Sequence, residues 1–175
     1  MGSEILVDGY NIIKGSTLFQ SLGAKNLEFA REQLITQLVN RYRHTPHRVT
    51  IVFDGSDVHE QVHYKQRIRI IYSCFGETAD SVIARLAASA RAEGRTVEMY
   101  SDDREVQQAV SRQGGEIRTT SQLTSQLNAP SRDVARRFKH RMAMQKKYGL
   151  DPMYNDDEIE STRSPGKKKN LHRKR

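Results

Sequence analysis

The chain has 175 residues, of which 29 are Lys or Arg and 21 are Asp or Glu, giving a formal net charge of +8. That length fits one ordinary domain with a remainder. No apolar run approaches the roughly 18 residues of a membrane span, Met1-Gly2-Ser3-Glu4 opens no signal peptide, and the single Cys74 has no partner for an internal disulfide, so a cytoplasmic protein without a membrane role is expected.

In chain order, Ile5-Leu6-Val7-Asp8 reads as a buried strand, followed by a turn at Gly9-Tyr10-Asn11. Asn26 then caps a helix over 26–43 on which Leu27, Leu34, Leu38 and Tyr42 recur at helical spacing. Residues 49–53 form the second strand, broken by Gly55, and a polar segment from Ser56 to Gln66 leads to an edge strand over 67–72. Thr78 caps the next helix, whose apolar face is Val82, Ile83, Leu86, Ala87 and Ala90 and whose stop signal is Gly94. A strand over 96–101 is followed by a helix through Val106 and Val110 ending at Gly114-Gly115, then by a short strand around Ile117 and a small helix from Ser121. This alternation predicts an α/β fold with a central, mainly parallel sheet and right-handed crossovers.

The C-terminal stretch differs in composition. Residues 1–130 carry 15 basic and 15 acidic side chains, whereas residues 131–175 carry 14 and 6, so the whole positive excess lies there. The expected organisation is a globular domain over 1–128, a basic amphipathic helix over 129–150 with Val134, Phe138 and Met142 on one face, and an acidic then basic disordered tail over 151–175. Such a basic extension suits a polyanionic partner, because Lys and Arg gain affinity by releasing counterions from phosphates.

The residues that carry chemistry are the acids at the strand ends. Asp8, Asp54 and Asp102 each close an apolar run, so in a parallel sheet they lie along one edge, where open α/β sheets bind ligands. Asp80 joins them from the first turn of the helix after Thr78. Two like charges 4 Å apart repel by about 1 kcal/mol in water and about 4 kcal/mol at an effective dielectric near 20. A bound divalent cation offsets that cost, and an all-oxygen set suits Mg²⁺ or Mn²⁺. Around a phosphodiester such a site needs no nucleophilic Ser or Cys. Asp103 is expected to point away from Asp102, since adjacent residues project in different directions. Asn11, Thr78 and Ser101 are candidates for orienting the carboxylates, Tyr10 for stacking on a base, and Lys65 and Arg67 for contacting phosphates.

The set Leu6-Val7-Asp8-Gly9-Tyr10-Asn11-Ile12-Ile13, Val52-Phe53-Asp54, Glu77-Thr78-Ala79-Asp80 and Ser101-Asp102, in that order and spacing, resembles the YacP-like NYN family within the PIN-like nuclease superfamily. The resemblance implies a PIN-like three-layer α/β/α sandwich and Mg²⁺- or Mn²⁺-dependent endonucleolytic cleavage of RNA. With the basic extension, ribosome-associated RNA is a candidate substrate, and no organic cofactor is expected. The resemblance also implies metal ligation by Asp8, Asp80 and Asp102, with Asp54 as a further catalytic acid.

Two other motifs are weighed against this. His59-Glu60-Gln61-Val62-His63 spells the zinc-protease string H-E-x-x-H, but about ten polar residues between Gly55 and a strand leave no room for the long helix that string requires; a polar loop or short helix flanking the cleft is expected instead. Asp8-Gly9-Tyr10 lacks the second acid of a phosphatase D-x-D loop. A non-catalytic RNA- or ribosome-binding protein on the same scaffold is the alternative of a different class.

Overall fold

The computed structural model describes residues 2–130 and 132–149, and the tail expected over 151–175 lies outside the described residues. Six strands form one sheet: β1 (Glu4–Asp8), β2 (Arg48–Phe53), β3 (Gln61–Lys65), β4 (Ile68–Tyr72), β5 (Val97–Tyr100) and β6 (Glu116–Arg118). Their order is β3-β4-β2-β1-β5-β6, parallel throughout except for the antiparallel β3–β4 hairpin. β1 sits centrally, with Asp8 opposite Val52 of β2 and Val7 opposite Tyr100 of β5.

Alternation along the strands divides the core into two layers. Ile5 and Val7 of β1, with Ile51 and Phe53 of β2, face helices α1 (Gly9–Gly15), α2 (Thr17–Gly23), α3 (Leu27–Tyr42) and α6 (Thr120–Asn128). Leu6 and Val52 point the other way, onto α4 (Ala79–Ala92) and α5 (Arg104–Arg112). β1 is buried along its whole length, which is why it reads as a continuous apolar run rather than an alternating one. The result is a three-layer α/β/α sandwich.

The start and stop signals of the longer helices match their chemistry. Asn26 and Thr78 accept hydrogen bonds from the Phe29 and Ser81 amides at the starts of α3 and α4. Gly94, just past α4, holds φ at +73°, a conformation that glycine adopts at no steric cost. Two features depart from the expectation. The turn after β1 is a helix, because Asp8 itself caps α1 and Ile12 and Ile13 are buried on the core side. The polar stretch before β4 is a strand, β3, paired to β4 through a two-residue turn in which Gln66 takes a positive φ of 54°.

The chain divides after Ala129 into two units. The second contains α7 (Arg132–Tyr148), a basic helix on which Phe138 and Met142 are exposed. Among the described residues, no helix is long and apolar enough to cross a membrane.

Candidate active site

The acids are positioned by the turns that end the central strands. β1 is where the connections part: the chain leaves it for β2 on one side and later reaches β5 on the other. The crevice beyond the carboxyl ends of strands at such a switch point is the usual ligand site of open α/β sheets. Gly9 makes the tight exit from β1 possible, because a Cβ there would collide with the Phe53 ring.

Asp8 is 7% exposed. One carboxylate oxygen accepts the Asn11 amide at 3.1 Å and the other accepts the Ser101 hydroxyl at 3.0 Å, so its own junction and the one after β5 both hold it. Its pKa is raised, first by burial and then, against those two hydrogen bonds, by the charges of Asp54 and Asp103. Asp80 is pushed up to about 6, again first by burial and then by Asp8, Asp103, Asp54 and Glu105. Asp54 ties the start of α4 to the end of β2 by accepting the Ala79 amide at 2.8 Å. None of these acids pairs with a Lys, Arg or His among the described residues.

From the β5–α5 junction, the charge of Asp103 raises the pKa of both Asp8 and Asp80. The two adjacent aspartates do diverge, as expected, each carboxylate taking different partners. The Asp102 carboxylate turns to α6, where it accepts the Thr120 amide at 3.1 Å and the Thr120 hydroxyl, while its own amide donates to the Asn11 side chain at 2.8 Å. Asp103 caps α5 by accepting the Glu105 amide at 2.8 Å, and the Ser101 hydroxyl accepts its amide at 3.1 Å.

Other site candidates fall in different places. Ser101 holds Asp8, and Asn11 links Asp8 to Asp102. Thr78 spends its hydroxyl on the Ser81 amide and hydroxyl. Lys65 and Arg67 require a correction: β3 is antiparallel, so its end lies at the opposite edge of the sheet. There Lys65 pairs with Glu32 at 2.7 Å and Arg67 lines a cavity of about 370 Å³ with Arg48, Arg69, Arg95 and Glu4.

Strand β3 also disposes of the zinc-protease string. His63 lies on an edge strand rather than a helix, and Glu60 pairs with Arg85 at 2.5 Å. A second cleft, about 590 Å³, opens beside the acids and shares Asp54 with them; Tyr10, Arg31, Gln61, His63 and Tyr72 line it. Arg31, Tyr72 and Asp103 carried no signal in spacing or motif, because the first comes from mid-helix, the second from a strand end and the third from beside a more conspicuous aspartate.

Among the described residues no three His, Cys, Asp or Glu side chains are grouped closely enough to enclose an ion, so the expected ready-made carboxylate cage is not present. The donor chemistry still fits a hard cation that keeps most of its water, since Mg²⁺ is commonly held through one or two carboxylates. Asp8 and Asp80 are the pair whose charge is crowded and uncompensated.

A family model described as YacP-like NYN domain matches residues 5–163, running past the expected domain end at 128 and through α7. The "Uncharacterized protein YacP" of Bacillus subtilis (strain 168) is 29% identical over 137 residues, which are 77% of this chain and 81% of that protein. The crystal structure of Rae1 (YacP) from Bacillus subtilis superposes with a TM-score of 0.64 at 25% identity, covering 93% of this chain and 92% of that one. The crystal structure of a mutant of that same protein gives 0.65 at 26% identity, over 83% and 86%.

Proposed function

Because the chain belongs to the YacP-like NYN domain family, whose domains are generally RNA nucleases, we propose that it is a divalent-metal-dependent endoribonuclease acting at the crevice of Asp8, Asp80 and Asp103. The observation that supports this best is that Asp8, Asp80 and Asp103 come from three separate strand–helix junctions at one sheet edge and that none of them pairs with a Lys, Arg or His among the described residues. Structural acids are ordinarily paired or exposed, whereas these crowd one another while partly buried.

In this reading Asp8 and Asp80 hold a hydrated Mg²⁺ or Mn²⁺. When bound, such an ion stabilises charge on the phosphoryl oxygens and makes water a stronger nucleophile. Ser101 and the Asn11 amide fix the Asp8 carboxylate, which limits its motion as substrate enters. Asp54 holds the start of α4, and with it Asp80, against the end of β2. Asp102 fastens the β5–α5 junction to α6 through Thr120 and so positions Asp103. The substrate is a single-stranded RNA segment of the cytoplasm, free or presented on the ribosome, and the basic C-terminal stretch adds affinity. Deleting residues 131–175 is expected to weaken binding and to lower the salt slope by about 0.7 per lost phosphate contact.

The test is cleavage of an internally labelled RNA in Mg²⁺, Mn²⁺ or EDTA, with and without ribosomes. Metal-dependent internal cuts that disappear in Asp8→Asn and Asp80→Asn support the reading. The charge imbalance of the C-terminal stretch also favours a second one, an RNA- or ribosome-binding protein without hydrolysis. That reading requires undiminished binding in both variants and no cuts by the parent.

A further inference from the structure

We infer that the cleft between Tyr10, Arg31, His63 and Tyr72 is a nucleobase pocket that holds one base of the RNA strand beside the acidic crevice. The identity of the ligand as RNA rests on the nuclease reading above; the pocket itself rests on geometry. Its volume of about 590 Å³ lies within the range of sites that enclose a small organic group, and Asp54 forms part of both its wall and the acidic edge.

The lining has the composition that base recognition needs. Phe53 and Tyr72 stack with centroids 5.5 Å apart, Tyr10 meets Phe53 edge-on at 5.2 Å, and His63 meets Tyr72 edge-on at 6.0 Å. Arg31 lies over the Tyr72 ring, 5.6 Å from its centroid, and donates to the Tyr10 hydroxyl at 3.1 Å. It has no carboxylate partner among the described residues, so two tyrosines hold a flat guanidinium whose charge is unspent. Phe53 is fully buried and only backs the tyrosines, so a base stacks on the guanidinium and on the Tyr10, His63 and Tyr72 rings that line the cleft.

The charges decide between a base and a phosphate. Asp54 and Asp57 both line the cleft, against the single cation Arg31, so a phosphate there meets more repulsion than attraction. A neutral base does not. The side chains of Asp57, Gln61 and His63 make no hydrogen bond among the described residues, leaving polar groups to meet a base edge. Asp57 only accepts, so the two adjacent donors of guanine, N1–H and the 2-amino group, match its carboxylate better than the single N3–H of uracil. His63, a residue of the H-E-x-x-H string, thereby gains a role that has nothing to do with zinc.

The experiment uses the full chain in EDTA, where no cutting occurs, and short RNA oligomers with a single abasic residue moved along the strand. Binding is followed by anisotropy, with guanosine and uridine as free competitors. One abasic position is expected to weaken binding by the parent about tenfold or more. Arg31→Met and the exposed-site variant His63→Ala are expected to bind the intact oligomer more weakly and to lose most of that discrimination. Guanosine should compete better than uridine. Equal affinity for intact and abasic oligomers at every position overturns the pocket, as does full discrimination retained by both variants. Base-dependent binding by a protein that never cuts RNA upholds the pocket and overturns the nuclease reading.

Discussion

Strand β1 carries a buried carboxylate at each end, and the two are treated in opposite ways. Glu4, at the N-terminal edge, is 8% exposed and meets Arg95 in an ion pair, the Thr50 hydroxyl at 3.4 Å, and the fields of Arg48 and Arg69. Asp8, at the other edge, is buried to the same degree yet faces Asp54 and Asp103. Three residues of one strand thus separate an acid whose charge is answered from one whose charge is aggravated. An acid matched by arginines serves the fold, whereas an acid set among other acids costs stability and is retained for what it binds.

The largest effects should come from breaking the acidic edge. Asp8→Asn and Asp80→Asn are expected to lower RNA cleavage by about 10³-fold or more, since the lost cation interaction amounts to several kcal/mol of transition-state stabilisation. Asn still caps α1, so thermal unfolding of Asp8→Asn should match or exceed that of the parent. The neighbouring pair sharpens the comparison: Asp103→Asn should reduce cleavage more than Asp102→Asn, while Asp102→Asn should lose about 1–2 kcal/mol of stability with the Thr120 clasp. Equal loss of cleavage in both, with Asp102→Asn fully stable, would give Asp102 the direct role.

Much of this edge was legible because parallel strands buried on both faces read as unbroken apolar runs, and the acid closing each run is conspicuous. Asp8, Asp54 and Asp102 close such runs, and Asp80 follows a helix cap whose start and stop signals agree. What separates Asp102 from Asp103 is local rotation of the chain after β5, set by Thr120 eighteen residues on, and no spacing rule contains that. β3 is not legible for the opposite reason: Val62, His63 and Tyr64 are exposed on an edge strand, so no buried apolar run marks it. The base pocket is invisible in the sequence, as Tyr10, Arg31, His63 and Tyr72 meet only once α3 lies on the sheet. The expected basic tail lies outside the described residues.

The next effects concern what answers each charge. Adding Mg²⁺ at a hundred times its Kd should stabilise the parent by about 2.7 kcal/mol, seen as a higher unfolding temperature, and should leave Asp8→Asn and Asp80→Asn unmoved. At the other edge, Arg95→Met strips Glu4 of its partner, and is expected to cost about 2 kcal/mol in denaturant unfolding because the pair is only partly buried. That variant should cut RNA with the parent's kcat. A stability loss caused by Mg²⁺-insensitive crowding at Asp8, or a fall in kcat in Arg95→Met, would dissolve the contrast between the two edges.

The smallest expected effect is the pH dependence of the answered acid. Burial raises the Glu4 pKa above its ordinary 4.5, with Arg95, Arg48, the Thr50 hydroxyl and Arg69 opposing the rise. The native state therefore holds this proton more tightly than the unfolded chain, so the stabilisation is complete below 4.5 and is lost as pH climbs through the raised value. Relative to the parent, Glu4→Gln should be unchanged at about pH 4 and gain stability as pH rises toward neutrality. Removing the strongest opposing charge should extend the window: in Arg95→Met the decline is expected to continue to higher pH than in the parent, because only Arg48, Arg69 and Thr50 remain to favour the ionised form. Denaturant midpoints of the three proteins from about pH 4 to 8 measure this directly. Parallel curves would mean that Glu4 keeps the same proton affinity folded and unfolded, and that the arginines at this edge fully repay its burial.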